Sequence, residues 1–139
     1  MHGRLALSDN RGFTLVELLV VILIIAILAM VALPIFTNQR TKAQDLKAQA
    51  TIRTVATALA TYHTDNDDYN ATRADLEAIE PTLSQASPGL TVSGTADSYE
   101  ITETSNTGTD FTLRRKAVGQ DERVCSVPER GRCDAAGTW

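Results

Sequence analysis

The 139-residue chain has few of the residues that catalytic and metal-binding sites require. It contains two histidines and two cysteines, and only 5% of its residues are aromatic. A hydrolytic triad needs a base oriented beside a nucleophile, and His63 has no recognisable partner motif. The net charge is −4, whereas nucleic-acid phosphates require clustered lysine and arginine. We therefore expect no catalysis, no cofactor, no metal site and no specific nucleic-acid partner.

A long apolar run dominates the amino-terminal part of the chain. Residues 18–36, LLVVILIIAILAMVALPIF, contain no charge and no amide, and fourteen of them are Leu, Val, Ile or Phe. A bilayer core of ~30 Å needs about 20 apolar residues in a helix. The fourteen strong hydrophobes favour insertion into lipid by roughly 4–8 kcal/mol. The run is therefore predicted to span a membrane.

The apolar run does not have the pattern of a removable secretory signal peptide. Such a peptide has an apolar core of about 7–15 residues followed by a small-x-small cleavage site. This run is longer, and its alanines, Ala26, Ala29 and Ala32, are three residues apart. A plain membrane anchor remains an alternative.

A single acidic residue, Glu17, directly precedes the apolar run. It could lie at the depth of the lipid headgroups, where a charge costs little. Alternatively, an ionisable group at the end of a hydrophobic helix is a candidate for pairing with a charged partner.

The segment Gly12-Phe13-Thr14-Leu15-Val16-Glu17, followed by the apolar run, resembles the leader junction of type IV pilins and type II secretion pseudopilins. Pro34 falls where many pilins carry a helix-bending proline. The leader contains Arg4 and Arg11 but also Asp9, so it is less basic than usual. The specific part of the resemblance covers residues 11–40, and beyond it only the architecture matches.

The resemblance implies a processing step and an assembly step. A prepilin peptidase would cut between Gly12 and Phe13 and methylate the new amine of Phe13. Glu17 would then attract the Phe13 amine of a neighbouring subunit and set its register, while the apolar stripe supplies the cohesion. The implied partners are other copies in a helical filament, the peptidase and methyltransferase, an inner-membrane assembly platform and the membrane.

The same resemblance divides the chain into three parts. Residues 1–12 form a leader peptide, residues 13–38 the membrane and filament-core half of a helix, and residues 39–139 a periplasmic or extracellular head. The protein would be a single-pass cell-membrane protein before assembly. Afterwards it would belong to an extracellular pilus or a periplasmic filament.

Helical periodicity continues beyond the apolar run and predicts one helix from about Phe13 to Tyr62. Apolar residues at steps of four and three define the face expected to pack against the head: Ala48, Ile52, Val55, Leu59 and Tyr62. Charged residues are expected to point elsewhere: Lys42, Asp45, Lys47 and Arg53. Because proline removes a backbone donor, a kink or local melting is expected near Ala26–Pro34.

The segment after this helix is polar and acidic. Residues 63–69, HTDNDDY, are predicted to end the helix as a solvated loop, with a calcium site at the three aspartates as the alternative. Asn70-Ala71-Thr72 is a formal glycosylation sequon. The spacing of Thr72 and Asp75 predicts a short helix from Thr72 to Glu80 that Pro81 stops.

After residue 89 the period drops to two, which predicts three short strands. They lie at Leu90–Val92, Tyr99–Thr102 and Phe111–Arg114, with turn residues at 105–108. The expected fold class is α+β and pilin-like: a long amino-terminal helix packed on a small antiparallel sheet. A head this small often needs a covalent crosslink.

Cys125 and Cys133 enclose SVPERGR and are the predicted disulfide. One pair at this spacing fits neither a C-x-x-C redox motif nor a four-ligand zinc site. The resemblance points the same way, because many pilins close a carboxy-terminal loop with a disulfide. Two reduced thiols are the alternative.

The favoured function is a structural subunit of a type IV pilus or pilus-like surface filament. A pseudopilin of a type II secretion system and a minor pilin for DNA uptake share the same assembly physics and are the first alternative. The second alternative is a single-pass protein whose helix only anchors a ligand-binding head.

Overall fold

The computed structural model describes residues 12–117 and 119–139, apart from the side chain of Pro34. The leader residues 1–11, including Arg4, Asp9 and Arg11, therefore lie outside the described residues. Contacts within the chain divide it into two compact units, Met1–Thr37 and Asn38–Trp139. We call them the amino-terminal unit and the head. The proposed boundaries of leader, membrane half and head remain predictions.

The first element is α1, a helix that runs from Leu15 to Asn66. Its backbone is helical throughout the interval Ala26–Pro34, so the expectation of local melting there is wrong, whereas the alternative of a kink stays a prediction. Helical hydrogen bonds on either side of a single missing N–H can keep the backbone helical. The helix also ends four residues later than Tyr62, so residues 63–66 do not belong to the loop.

The carboxyl end of α1 explains this extension. The Asn66 side chain donates a hydrogen bond to the Tyr62 carbonyl (2.9 Å), and the Asp67 N–H donates to the His63 carbonyl (2.8 Å). Asp67 has φ of 59°, the left-handed conformation that commonly ends a helix and that aspartate adopts more readily than most residues. The helix therefore uses the first part of the acidic segment before it stops.

Two short helical elements follow α1. Helix α2 spans Arg73–Ile79, and Thr72 caps it in a reciprocal capping box with Asp75. Glu80 is its C-cap, and this agrees with the predicted helix from Thr72 to Glu80. A 3₁₀ helix at Pro81–Gln85 begins on the proline that ends α2.

The sheet is an antiparallel meander of four strands in the order β1-β2-β3-β4. The strands are β1 (Thr91–Gly94), β2 (Tyr99–Thr104), β3 (Asp110–Arg115) and β4 (Asp121–Cys125). The three predicted strands are confirmed as β1, β2 and β3, and the prediction is incomplete because it omits β4. The sequence of β4, DERVC, is mostly charged. It is a strand because all five of its residues pair with β3, from Phe111 opposite Cys125 to Arg115 opposite Asp121.

The core of the head lies where α1 meets this sheet and the two short helices. The predicted helix face is confirmed, since Ile52, Val55 and Leu59 have no exposed surface and Ala48 is 4% exposed, while Tyr62 is half-buried. Apolar side chains of the other elements complete the core: Leu76, Leu83, Leu90, Tyr99, Ile101, Phe111 and Leu113. The α+β, pilin-like fold class is confirmed.

Candidate processing, assembly and disulfide sites

The residues of the predicted cleavage site lie immediately before α1. Gly12, Phe13 and Thr14 are not helical, and all three are exposed, Phe13 at 74%. Apart from Gly12 itself and its two chain neighbours, no described residue has an atom within 4 Å of the position that a Cβ on Gly12 would occupy. An extended, accessible backbone is what a peptidase cleft needs. The geometry permits cleavage at this bond, which remains a prediction.

Thr14 organises the first turn of α1. Its side-chain oxygen accepts a hydrogen bond from the Glu17 N–H (3.1 Å), and its carbonyl accepts from the Leu18 N–H (3.2 Å). Glu17 is the acidic residue of this first turn, where the helix dipole favours a negative charge. The carboxylate therefore has a local stabilising role in addition to the predicted pairing with a neighbouring amine. The spacing Thr14-x-x-Glu17 is a capping-box signal that could have revealed this cap in the sequence.

The apolar stretch of α1 is exposed all the way round in the single chain. Every large hydrophobic side chain described between Phe13 and Phe36 is at least 45% exposed. By length and composition this stretch can cross a membrane. A contiguous exposed apolar surface of this extent marks a surface for lipid or for another protein.

Glu17 and Pro34 lie on the same helix and form no common site. They are separated by 17 residues, which corresponds to about 26 Å along the helix axis. The assembly roles predicted for these two residues remain predictions, as does methylation of Phe13.

The predicted disulfide is confirmed: Cys125 and Cys133 are bonded, with their Cα atoms 6.1 Å apart. Cys125 ends β4, and Cys133 is 6% exposed. The enclosed loop turns at Glu129 and Gly131, which have φ of 61° and 62°. We call residues 126–132 the disulfide loop.

Asp45 is the residue of this region whose predicted direction is wrong. The helical pattern predicts that it points away from the head, yet it has no exposed surface. One carboxylate oxygen, Oδ1, accepts hydrogen bonds from the Ser105 hydroxyl (2.7 Å) and the Thr107 hydroxyl (2.8 Å). The other, Oδ2, accepts from the Arg132 N–H (3.2 Å). Asp45 therefore ties the β2–β3 turn and the disulfide loop to α1, and burial is possible because its lone pairs are occupied.

Ion pairs join neighbouring strands of the sheet, from β3 to β2 and from β3 to β4. The Arg115 Nε lies 2.8 Å from Asp121 Oδ1, and Arg114 pairs with Glu100 on β2. The hydrogen bond from Arg115 holds the pKa of the Asp121 carboxyl below its ordinary value of 3.8. Burial raises the pKa of the Tyr99 hydroxyl, and the Arg115 guanidinium lies over the Tyr99 ring, 5.4 Å from its centroid. These pairs fix the register of β2, β3 and β4 and show no arrangement for acid–base chemistry.

The final residues pack back onto the sheet and α1. The Trp139 indole N–H donates to the Thr112 carbonyl (3.3 Å), and its ring meets Phe111 edge-on with centroids 6.0 Å apart. The guanidinium groups of Arg53 and Arg123 lie 6.0 and 5.4 Å from the same ring centroid. No signal in the sequence paired these residues, because they are far apart along the chain.

Within the described residues, no group of three or more His, Cys, Asp or Glu side chains could hold a metal ion. The calcium alternative at residues 65–68 therefore gains no support from the geometry.

Comparison with known proteins places these features in a family. Residues 7–33 match the family model described as "Prokaryotic N-terminal methylation motif", which includes Gly12, Phe13 and Glu17. The chain is 40% identical over 80 residues to the type II secretion system core protein G of Escherichia coli, covering 56% of this chain and 55% of that protein. Against three relatives of that name, the match spans about half of their length.

Two further relatives match over most of their own length. The type IV wide pilus major component PilA4 of Thermus thermophilus is 35% identical over 94 residues, covering 67% of this chain and 72% of that protein. The ComG operon protein 3 homolog of Bacillus licheniformis is 34% identical over 70 residues, covering 50% of this chain and 72% of that protein. The named relatives are components of pili, secretion systems and the ComG system. The chain belongs to the family of type IV pilins and type II secretion pseudopilins.

Proposed function

We propose that this protein is the structural subunit of a type IV pilus or pilus-like filament, with no catalytic activity of its own. The observation that carries the proposal is the junction from Gly12 to Glu17, which is accessible and leads directly into an exposed apolar helix. The junction suits removal of a leader, and the helix suits storage in a membrane followed by packing against other copies.

Processing takes place between Gly12 and Phe13, and the new amine of Phe13 is methylated. Glycine suits the cleavage position because it brings no side chain into the peptidase cleft and permits extended backbone. Removal of residues 1–12 also removes Arg4 and Arg11, and with them part of the positive charge that holds the helix end on the cytoplasmic side. The helix is then easier to extract into a growing filament.

Assembly exchanges contacts with lipid for contacts with other copies. Most of the cohesion comes from the apolar side chains between residues 13 and 36. Glu17 pairs with the Phe13 amine of a neighbouring copy, and the attraction between the two charges is partly offset by the cost of removing them from water. The pair therefore sets the register of neighbouring helices. Pro34 contributes by removing one backbone hydrogen-bond donor, so the helix can bend at that position to fit its neighbours.

Two variants test this proposal. Replacing Gly12 with Ile should leave the leader attached, and replacing Glu17 with Ala should leave processing intact but prevent filaments. The measurements are the mass of the amino-terminal peptide and electron microscopy of sheared surface material. Normal filaments from both variants would contradict the proposal.

A second candidate function is a pseudopilin of a type II secretion system, or a minor pilin for DNA uptake. The relatives named type II secretion system core protein G and competence protein ComGC favour this candidate. The two candidates share the assembly step and differ in abundance and gene neighbourhood. A filament subunit should dominate sheared surface material, whereas a pseudopilin should remain with the cell envelope.

The amino-terminal mass also separates both candidates from a single-pass anchored binding protein. An intact leader, or a Phe13 amine without a methyl group, would favour the simple anchor.

A further inference from the structure

A polar cavity of about 310 Å³ lies in the head between α1, the 3₁₀ helix and the end of β2. Gln44, Lys47, Ala48 and Thr51 of α1 form one wall. Residues 85–88 and 103–106 form the others. The volume is that of a small-ligand site.

Glu103 is the unusual residue of this cavity. It is 4% exposed and occupies an inward position of β2, in series with the buried Tyr99 and Ile101. Its Oε2 atom is buried and has no hydrogen-bond partner among the described residues. Among the described residues, the side-chain nitrogen of Gln49 is likewise buried without a hydrogen-bond partner. A buried carboxylate oxygen without a partner is costly, and a positively charged group at the carboxylate would reduce that cost.

The neighbouring side chains leave this carboxylate available. The Thr104 hydroxyl donates to Asp110, and the Ser105 hydroxyl donates to Asp45. Lys47 lines the same cavity, but it does not partner the buried oxygen of Glu103. Glu103 thus lines a cavity in which the hydroxyl groups of Thr104 and Ser105 are directed elsewhere.

The donor set fits an organic cation better than a metal ion. Calcium takes six to eight oxygen ligands, usually from several carboxylates. Among the described residues, Glu103 is the only acidic one that lines this cavity. Three side-chain amides also line it: Gln44, Gln85 and Asn106. We propose that the cavity binds an ammonium or guanidinium group through a charge-assisted hydrogen bond to Glu103.

This cation could come from a free amine or from a basic side chain of a second copy, and the second source rests on the proposed function. The head pairs Arg73, Arg114, Arg115 and Lys116 with acidic residues of its own chain. Arg130 and Arg132 of the disulfide loop are exposed, and within the described residues their guanidinium groups form no ion pair. They are candidate donors from a neighbouring copy, as is Lys42 of α1, which is also exposed and forms no ion pair among the described residues.

The first experiment titrates the full chain, dispersed in detergent, with agmatine, which carries both an ammonium and a guanidinium group. Hydrogen–deuterium exchange of residues 85–88 and 103–106 reports occupancy. We expect saturable protection in the wild-type chain and an affinity at least about tenfold lower in Glu103→Gln, because a buried charged acceptor is lost. Glu129→Gln removes an exposed carboxylate and should leave the affinity unchanged.

Two results of this titration would overturn the proposal. One is the absence of saturable protection in the wild-type chain, and the other is equal protection in Glu103→Gln. Because Glu103→Gln could fold poorly, neutral n-butanol serves as a ligand-side control on the wild-type chain. Protection by n-butanol equal to that by agmatine would also overturn it, since the charge would then be irrelevant.

A double-mutant cycle tests whether Lys47 is the internal partner of Glu103. If Lys47→Gln and Glu103→Gln destabilise the chain by a shared, non-additive amount, the two residues form an internal ion pair and the proposal fails. Additive effects support an open site.

The second experiment compares filaments with dispersed chain and identifies the source of the cation. Protection of residues 85–88 and 103–106 in filaments, lost in the Glu103→Gln variant, assigns the cation to a second copy. Protection by agmatine but not by assembly assigns it to a free amine. Failure to form filaments contradicts the proposed function and leaves the agmatine titration valid, so the two failures are distinguishable.

Discussion

At the scale of single residues, Asp45 joins three parts of the head. Its carboxylate accepts hydrogen bonds from the β2–β3 turn and from the backbone of the disulfide loop. Replacing one hydrogen-bonded partner in a buried site leaves a polar group unsatisfied, and this costs more than the bond itself contributes. The position therefore requires a carboxylate and not merely a polar residue.

We expect Asp45→Asn to lower the free energy of unfolding by about 1–3 kcal/mol. The amide nitrogen of asparagine cannot accept the hydrogen bond that the Arg132 N–H donates to Oδ2. Urea unfolding of the full chain in detergent measures the change. The matched control is Asp97→Asn on the exposed β1–β2 turn, expected to change stability by less than about 0.5 kcal/mol. Equal losses of stability in the two variants would contradict the role of Asp45 in joining these parts of the head.

Gly131 is a second residue whose identity the packing determines. A Cβ there would lie 1.8 Å from Asp45 Oδ2, and its φ of 62° already disfavours other residues. We expect Gly131→Ala to destabilise the head by about 2–4 kcal/mol, since it adds a steric clash to backbone strain.

Gly108→Ala is the control for this substitution. Gly108 has φ of 79°, but no described residue beyond its two chain neighbours has an atom within 4 Å of the position that a Cβ would occupy. This substitution therefore measures the cost of the backbone conformation without a steric clash. Its cost should be about 1 kcal/mol. If thermal unfolding shows the same loss of stability for both variants, the clash of the new Cβ with Asp45 contributes nothing to that loss.

The Arg115–Asp121 pair predicts a pH dependence. The pKa of Asp121 in the folded chain lies below its ordinary value of 3.8, so the carboxylate stabilises the fold above that value. This contribution is lost as the pH falls below 3.8 and through the lower folded pKa. Asp121→Asn should therefore flatten the decrease of Tm on acidification in this window, as measured by circular dichroism. An unchanged slope would contradict the prediction.

At the scale of structural elements, the disulfide loop connects the edge strand β4 to α1. One end is bonded through Cys125 and the other contacts Asp45 through the Arg132 backbone. The crosslink stabilises the head mainly by restricting the unfolded chain, and this effect is modest because the loop is short. The entropy model gives roughly 2.5 kcal/mol for a loop of this length.

Replacing both Cys125 and Cys133 with Ser should lower the free energy of unfolding by about that amount, roughly 2.5 kcal/mol, in an oxidising buffer. Under a reducing agent, wild-type and double-serine chains should have nearly equal stability. A difference that persists after reduction would mean that the serines disturb packing and that the bond contributes little.

Helix α1 is one element with two environments. Between Phe13 and Phe36 its side chains are exposed and apolar, whereas from Asp45 to Leu59 one face is buried in the head. The amino-terminal stretch therefore needs lipid or other copies to cover it. In the head, burial against the sheet stabilises the helix beyond its intrinsic propensity.

At the scale of the whole molecule, the apolar stretch should determine where the unassembled chain resides. Ile24→Asp places a carboxylate near its centre, at a cost of about 2.5–3.5 kcal/mol for insertion. We expect a marked loss of the chain from the membrane fraction after alkaline extraction. Thr61→Asp, on an exposed position of the head, is the control and should remain with the membrane. Equal retention would contradict membrane insertion by this stretch.

Much of the fold could be predicted because local signals carried it. The apolar run, the heptad-like spacing of Ala48 to Leu59 and the Thr72–Asp75 cap each depend on neighbouring residues, and all three have the expected local structure. Strand β4 could not be predicted, because DERVC has no alternation and forms a strand only through pairing with β3. The extension of α1 beyond Tyr62 depends on Asp67 adopting a left-handed conformation, which the sequence permits but does not require.

The amino-acid sequence by itself determined the family, the apolar helix and the pair of cysteines, because periodicity and short motifs need no long-range contact. Only the tertiary structure decided the direction of Asp45, the burial of Glu103 and the packing of Trp139 beside two arginines. Each of these depends on residues far apart along the chain, such as Asp45 and Arg132. A polar residue on a helix is directed to water or to the core by what folds against it, and that information is present only in the folded molecule.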